Sequence, residues 1–119
     1  EDDEELRNFL AHSLQELGYT VSSAKDGIEG LDLAKQISFD AILTDYLMPK
    51  MNGLEFIESL RSNNSLNAHT PAIFLTGFWS EMDVEKRQQE FNFFLLKPAN
   101  LKKVVYYLKC AQNLKKSAA

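Results

Sequence analysis

Cysteine is nearly absent from these 119 residues. Cys110 stands alone, so no internal disulfide framework is possible, and a lone thiol fits a reducing cytosol. A cytoplasmic location is the expectation. Histidine is scarce too. His12 and His69 lie far apart without metal-ligand spacing, and few other zinc-type ligands accompany them, so both read as solvent-facing or structural. No apolar run approaches the roughly eighteen residues that cross a bilayer, so no membrane contact is predicted. Repeats, low-complexity tracts and internal linkers are also missing. The length fits one domain, residues 1–119, with a single real core. Hydrophobic residues make 45% of the chain and charged ones 25%, which is ordinary for a globular protein.

The net charge of −4 argues against direct nucleic-acid binding. Its distribution says more. Residues 1–60 hold 13 acids and 4 bases, a net −9; residues 61–119 hold 4 acids and 9 bases, a net +5. The first half is expected to bind cations and the second to meet an acidic partner.

One stretch organises the chain. Asp40-Ala41-Ile42-Leu43-Thr44 is a short apolar run of the kind that makes a buried strand. It ends in Asp45, and Pro49 stops regular structure soon after. Asp45 therefore belongs at the carboxyl end of a central strand, the edge where open α/β sheets bind ligands. Before it, five adjacent acids, Glu1-Asp2-Asp3-Glu4-Glu5, lead into Leu6, Phe9, Leu10, Leu14 and Leu17 at helical spacing, closed by Gly18. Residues 19–24 read as a strand and residues 27–37 as a second helix. After it, Met51-Asn52-Gly53 reads as a turn in which Gly53 takes a positive φ. A third helix is expected over 54–61 and a buried strand over 72–76. A helix poor in apolar residues is expected over about 80–91, and it should be the least anchored. A strand over 93–96 ends at Lys97-Pro98. A last amphipathic helix begins after Asn100, a good N-cap. Strands alternate with helices, which makes an α/β protein with a parallel sheet.

Asp45, Thr76 and Lys97 each follow an apolar strand, so a parallel sheet brings all three to one edge. Glu1 and Asp2 precede a helix and join them there if a strand ends just before. Carboxylates beside one lysine suit a hard divalent cation that shares phosphate oxygens. A lysine and a hydroxyl can neutralise a phosphoryl group in transfer, and a carboxylate can accept it as an acyl phosphate.

At this point the chain resembles the receiver domain of two-component response regulators. The resemblance rests on Glu1-Asp2, on Asp45 with Met48-Pro49 and Asn52-Gly53, on Thr76-Gly77 and on Lys97-Pro98, in order and spacing over the whole chain. Each piece is weak alone; together they are specific. The resemblance implies a flavodoxin-like doubly wound sheet of order 2-1-3-4-5; a member of this family is a standard example of that order. It implies that Asp45 is the phosphoacceptor and that Mg²⁺ (or Mn²⁺) is held by Asp2, by Glu1 through water, by Asp45 and by the Leu47 carbonyl. It implies that Thr76 bonds the phosphoryl group, that Lys97 is its counter-charge and that Phe94 is the switch aromatic, turning inward on phosphorylation. The implied donor is a histidine kinase or histidine phosphotransfer protein. The implied output is a change on the face of the fourth helix, fifth strand and fifth helix, read by a partner or by a second copy in a homodimer. Such a domain catalyses only its own phosphorylation and dephosphorylation.

Some residues depart from the family. Glu90 and Phe91 replace a small Gly-Ala pair. Leu47 and Phe78, two residues beyond Asp45 and Thr76, are apolar where the family tunes phosphate lifetime, so slow hydrolysis is expected. The family's first strand, central in the sheet, would precede Glu1, so a run of about five apolar residues is expected there. A phosphatase of the haloacid-dehalogenase type also forms an aspartyl phosphate, but it needs a second Asp where Leu47 stands. A phosphate-independent interaction module is the other alternative, and intact Asp45, Thr76 and Lys97 speak against it.

Overall fold

A computed structural model describes residues 1–46, 51–62, 66–77, 92–98 and 100–118. Among these, three strands and four helices are arranged as a parallel sheet with a helical layer on each face. In chain order they are α1 (Glu4–Glu16), α2 (Gly27–Gln36), β1 (Ile42–Asp45), α3 (Gly53–Ser62), β2 (Ala72–Thr76), β3 (Asn92–Leu96) and α4 (Leu101–Ala118). The sheet order is β1-β2-β3, parallel throughout, with Asp45 opposite Leu75 and Thr76 opposite Leu96. These are the last three strands of the expected order.

The helices begin where side chains satisfy their free amides. Asp3 Oδ1 accepts from Leu6 N–H at 3.1 Å, and Asp26 Oδ1 from Glu29 N–H at 2.9 Å. Asn52 and Glu55 bond reciprocally at the start of α3, the side chain of each accepting from the other's amide. Asn100 Oδ1 takes the amides of Lys102 and Lys103. Gly18 ends α1 with φ 97°, as its position predicts.

Alternation along β2 divides the core. Ile73 and Leu75 point to one face, where Leu10 and Leu14 of α1 meet Val104 and Leu108 of α4. Ala72 and Phe74 point to the other, against Ala34, Phe56, Ile57 and Leu60 of α2 and α3. Burying a side chain of this size contributes about 1.5–3 kcal/mol, so both layers are held by hydrophobic contact with the one fully buried strand.

Three expectations are corrected. Residues 19–24 form no ladder among the described residues; a strand exists only against a partner, and no strand stands beside them. Gly53 is the first residue of α3, not a positive-φ turn. It is glycine because a Cβ there would collide with the Asp45 carbonyl oxygen and lie 3.2 Å from Thr44 Oγ1. β1 also runs one residue further than expected, to include Asp45 itself. The expected helix over 80–91 lies outside the described residues, with Leu47, Met48, Pro49, Phe78, Glu90 and Phe91.

Candidate functional site

Asp45 is the last residue of β1 and is only 2% exposed. Parallel pairing puts the end of β2 beside it and the end of β3 one strand further along the same edge. Lys97 follows β3, and its amide donates to the Thr76 carbonyl at 2.8 Å. From there its Nζ lies 2.5 Å from Asp45 Oδ1 and 3.5 Å from Glu1 Oε1. Lys97-Pro98 is a cis peptide. Glu1 is fixed by its own backbone: its main-chain nitrogen donates to the Ala24 carbonyl at 3.2 Å, and its carbonyl accepts from Arg7 Nη1 at 2.8 Å. Its Oε2 accepts the Asp3 amide at 2.9 Å. Carboxylate oxygens of Glu1, Asp2 and Asp45 lie within 4.8 Å of one another. Thr76 ends β2 at the same edge and is buried.

The electrostatics follow from crowding two buried carboxylates against one ammonium. Burial, then the contact with Glu1, pushes the Asp45 carboxyl up to about 7, against the pull of Lys97. Burial would raise Glu1 as well, but the contacts with Asp45, the Asp3 amide and Lys97 hold it below the ordinary carboxylate range. Burial opposes the Lys97 charge, but the two carboxylates outweigh it and raise its pKa, so the ammonium persists at neutral pH. Beyond the Lys97 ion pair, Glu1 Oε1 and both Asp45 carboxylate oxygens are buried and accept no hydrogen bond. Orphaned, inward-facing carboxylate oxygens in a group of three acids are the donor set that a small hard cation takes.

The sequence model of the response regulator receiver domain matches residues 1–109. The chain belongs to this family. The receiver domain is 31% identical over 118 residues to hybrid signal transduction histidine kinase D of Dictyostelium discoideum, covering 98% of this chain and 8% of that protein. It is 40% identical over 83 residues to the transcriptional regulatory protein CpxR of Escherichia coli, covering 70% of this chain and 34% of that one. It thus spans at most about a third of the curated relatives it matches here. The receiver domain of a sensor histidine kinase from Pseudomonas aeruginosa, solved with a magnesium ion coordinated in its active-site cleft, superposes with a TM-score of 0.80. That match has 25% identity and covers 95% of this chain and 93% of that one. Such domains occur in response regulators and hybrid kinases, where they act as signalling switches rather than classical enzymes and interact with histidine kinases or phosphotransfer proteins. A phosphoacceptor role in two-component signalling fits the family.

The structure brings Asp45, Lys97, Glu1 and Asp2 together and sets Thr76 on the same edge. Leu47 lies outside the described residues. Phe94 is buried, 6% exposed and stacked on Phe74 with ring centroids 5.0 Å apart. Sequence reasoning missed Asp3 as the α1 cap, although an Asp three residues before an apolar periodic residue is a cap signal. It also missed the close approach of Gly53 to the Asp45 backbone, which no local pattern reveals.

Proposed function

We propose that Asp45 accepts a phosphoryl group from the phosphohistidine of a histidine kinase or histidine phosphotransfer protein. The observation that carries this reading is the buried Asp45 carboxylate at the sheet edge, with Lys97 Nζ 2.5 Å from its Oδ1. An Asp45 oxygen attacks phosphorus, the phosphorus–nitrogen bond of the donor breaks, and the imidazole leaves with that electron pair. Lys97 would offset charge on the transferred oxygens, and the Thr76 hydroxyl would donate to one of them. Glu1, Asp2 and Asp45, with the Leu47 carbonyl, would hold Mg²⁺ (or Mn²⁺). Bound there, the cation would neutralise carboxylate charge that otherwise repels the donor. Self-phosphorylation and self-dephosphorylation are the only chemistry in this reading, and a cytoplasmic setting suits it. Direct nucleic-acid binding is not part of it.

Incubation with acetyl phosphate and Mg²⁺ should add one phosphoryl group to the intact mass. Asp45→Asn and, separately, EDTA should each abolish the gain. Full modification of the Asp45→Asn protein at another residue would overturn the assignment. Leu47→Asn should speed decay of the phosphorylated form by giving the attacking water a hydrogen-bonding side chain; an unchanged or slower rate refutes that.

The output face of this reading is β3 with α4. Phe93 packs on Tyr107 at 5.3 Å, and Tyr107 on Tyr106 at 5.6 Å, so the aromatics are contiguous and run outward to an exposed Tyr106. Lys102, Lys103 and Lys109 are exposed on the same helix. Aromatics beside cations make a contact surface. Light scattering of Tyr106→Ala and Phe93→Ala, with and without beryllofluoride, tests it. Equal responses in wild type and both variants would place the surface elsewhere.

A further inference from the structure

Five adjacent acids, Glu1 to Glu5, form the turn that leads into α1, and carboxylate oxygens of Glu1 and Asp2 come within 4.8 Å of one on Asp45. Like charges this close repel, so the backbone that carries Glu1 and Asp2 has to be held by other contacts. The Glu1 nitrogen donates to the Ala24 carbonyl, and the Asp3 amide donates to Glu1 Oε2. A further hold comes from inside the helix. The Arg7 amide donates to the Asp3 carbonyl at 2.8 Å, an ordinary helical bond. Its guanidinium reaches back out of the helix, and Nη1 donates to the Glu1 carbonyl at 2.8 Å, six residues away. Arg7 therefore spans the acidic turn, its main chain on Asp3 and its side chain on Glu1, with Asp2 between. The side chain is half-buried, whereas Asp2, Asp3, Glu4 and Glu5 are exposed.

The acceptor it takes is informative. Arginine commonly pairs through its fork with a carboxylate. Here, with five carboxylates close in sequence, Nη1 takes a main-chain carbonyl instead, and the Glu1 carboxylate stays turned to Asp45 and Lys97. We infer that Arg7 is a positioning residue for the acid pair Glu1-Asp2, fixing the backbone from which these side chains reach a divalent cation. This role rests on the reading of Glu1, Asp2 and Asp45 as the cation's ligands. Arg7 itself touches neither the cation nor the phosphoryl group. Two effects of removing it have opposite signs. As a positive charge near the acids, Arg7 disfavours a cation, so its loss would tighten binding. As the hold on the Glu1 carbonyl it favours one, and groups that orient metal ligands from behind are typically worth about 10–100-fold in affinity.

The test is calorimetric titration of the unphosphorylated protein with Mg²⁺, with circular dichroism confirming that each variant is folded. Arg7→Met keeps an unbranched apolar stem and removes both the charge and the donor. Lys25→Met removes the same charge from an exposed side chain next to Ala24. Arg7→Met should bind Mg²⁺ at least about tenfold more weakly than wild type, and Lys25→Met should bind it as well as wild type or better. Arg7→Gln, a good helix former too short to hold the Glu1 carbonyl, should behave as Arg7→Met does and replaces it if that variant does not fold. Unchanged or tighter binding by the Arg7 variants overturns the inference, and so does an equal loss in Lys25→Met. A wild type that binds no Mg²⁺ overturns the cation reading and the inference together. Weakened binding by the Arg7 variants supports the inference even where acetyl phosphate leaves Asp45 unlabelled, and that combination sinks the phosphoacceptor reading alone.

Discussion

Asp45 carries an acid–base consequence that can be measured without any phosphoryl donor. Its carboxyl is pushed from the ordinary 3.8 up to about 7 by burial and by Glu1. The folded protein therefore holds this proton more tightly than the unfolded chain does. Between those two values the folded state binds more protons, so stability falls as pH rises. Glu1 has the opposite sign, but its effect belongs to the acid side of its ordinary 4.5. In EDTA, the melting temperature should drop between about pH 5 and about pH 7 through the Asp45 contribution, and Asp45→Asn should remove most of that drop. Thermal melts of the two proteins across this range decide it; equal slopes would mean that Asp45 ionises normally.

Elements are locked by contacts that lie far from Asp45. The fully buried Asn67 is the clearest case. Its Nδ2 donates to the carbonyls of Ala34 and Ile37 at 2.7 and 2.8 Å, and its Oδ1 accepts the Phe39 amide at 2.8 Å. Arg61 Nη1 caps the same turn through the carbonyls of Asn67 and Ala68. One side chain thus ties the end of α2 to the segment before β2. Asn67→Ala leaves buried backbone groups unpaired, each at about 1–3 kcal/mol, and should cost about 3 kcal/mol in urea unfolding while leaving the site chemistry in place. Gly53→Ala acts at the other end of the sheet. Its Cβ would push on the Asp45 carbonyl, and overpacking of this kind costs about 1–3 kcal/mol. Because α3 must shift against β1, that substitution should also slow acetyl-phosphate labelling of Asp45, whereas Asn67→Ala should not.

At the scale of the whole molecule, a cleft of about 580 Å³ lies between residues 19–24 and β1. Leu10, Leu14, Val21, Leu43, Leu75 and Leu108 line it. The Ile42 and Tyr46 amides bond to β2, so the main-chain groups of Leu43 face the other way, toward this cleft. An apolar groove beside an open strand edge is the shape that takes a further strand. We propose that residues preceding Glu1 supply it, completing the sheet of order 2-1-3-4-5 and giving residues 19–24 their partner. A chain extended by about five apolar residues ahead of Glu1 should melt higher and bind less of an apolar dye such as ANS than residues 1–119 alone. No gain in either measurement would refute the proposal.

The amino-acid sequence by itself determined the alternation of strands and helices, the caps at Asn100 and Gly18, and the positions of Asp45, Thr76 and Lys97 at strand ends. These are local facts: apolar periodicity, a polar stop, a residue able to take a positive φ. Tertiary structure alone decided the rest, because each remaining point depends on what stands nearby in space. Residues 19–24 have strand composition but no ladder, since a ladder needs a neighbour. Gly53 is small for the sake of the Asp45 backbone, eight residues away in sequence. Phe94 lies inside, stacked on the face that Phe74 offers. The Asp45 carboxyl is raised by burial and by Glu1, which is distant in sequence and meets it only at the folded sheet edge.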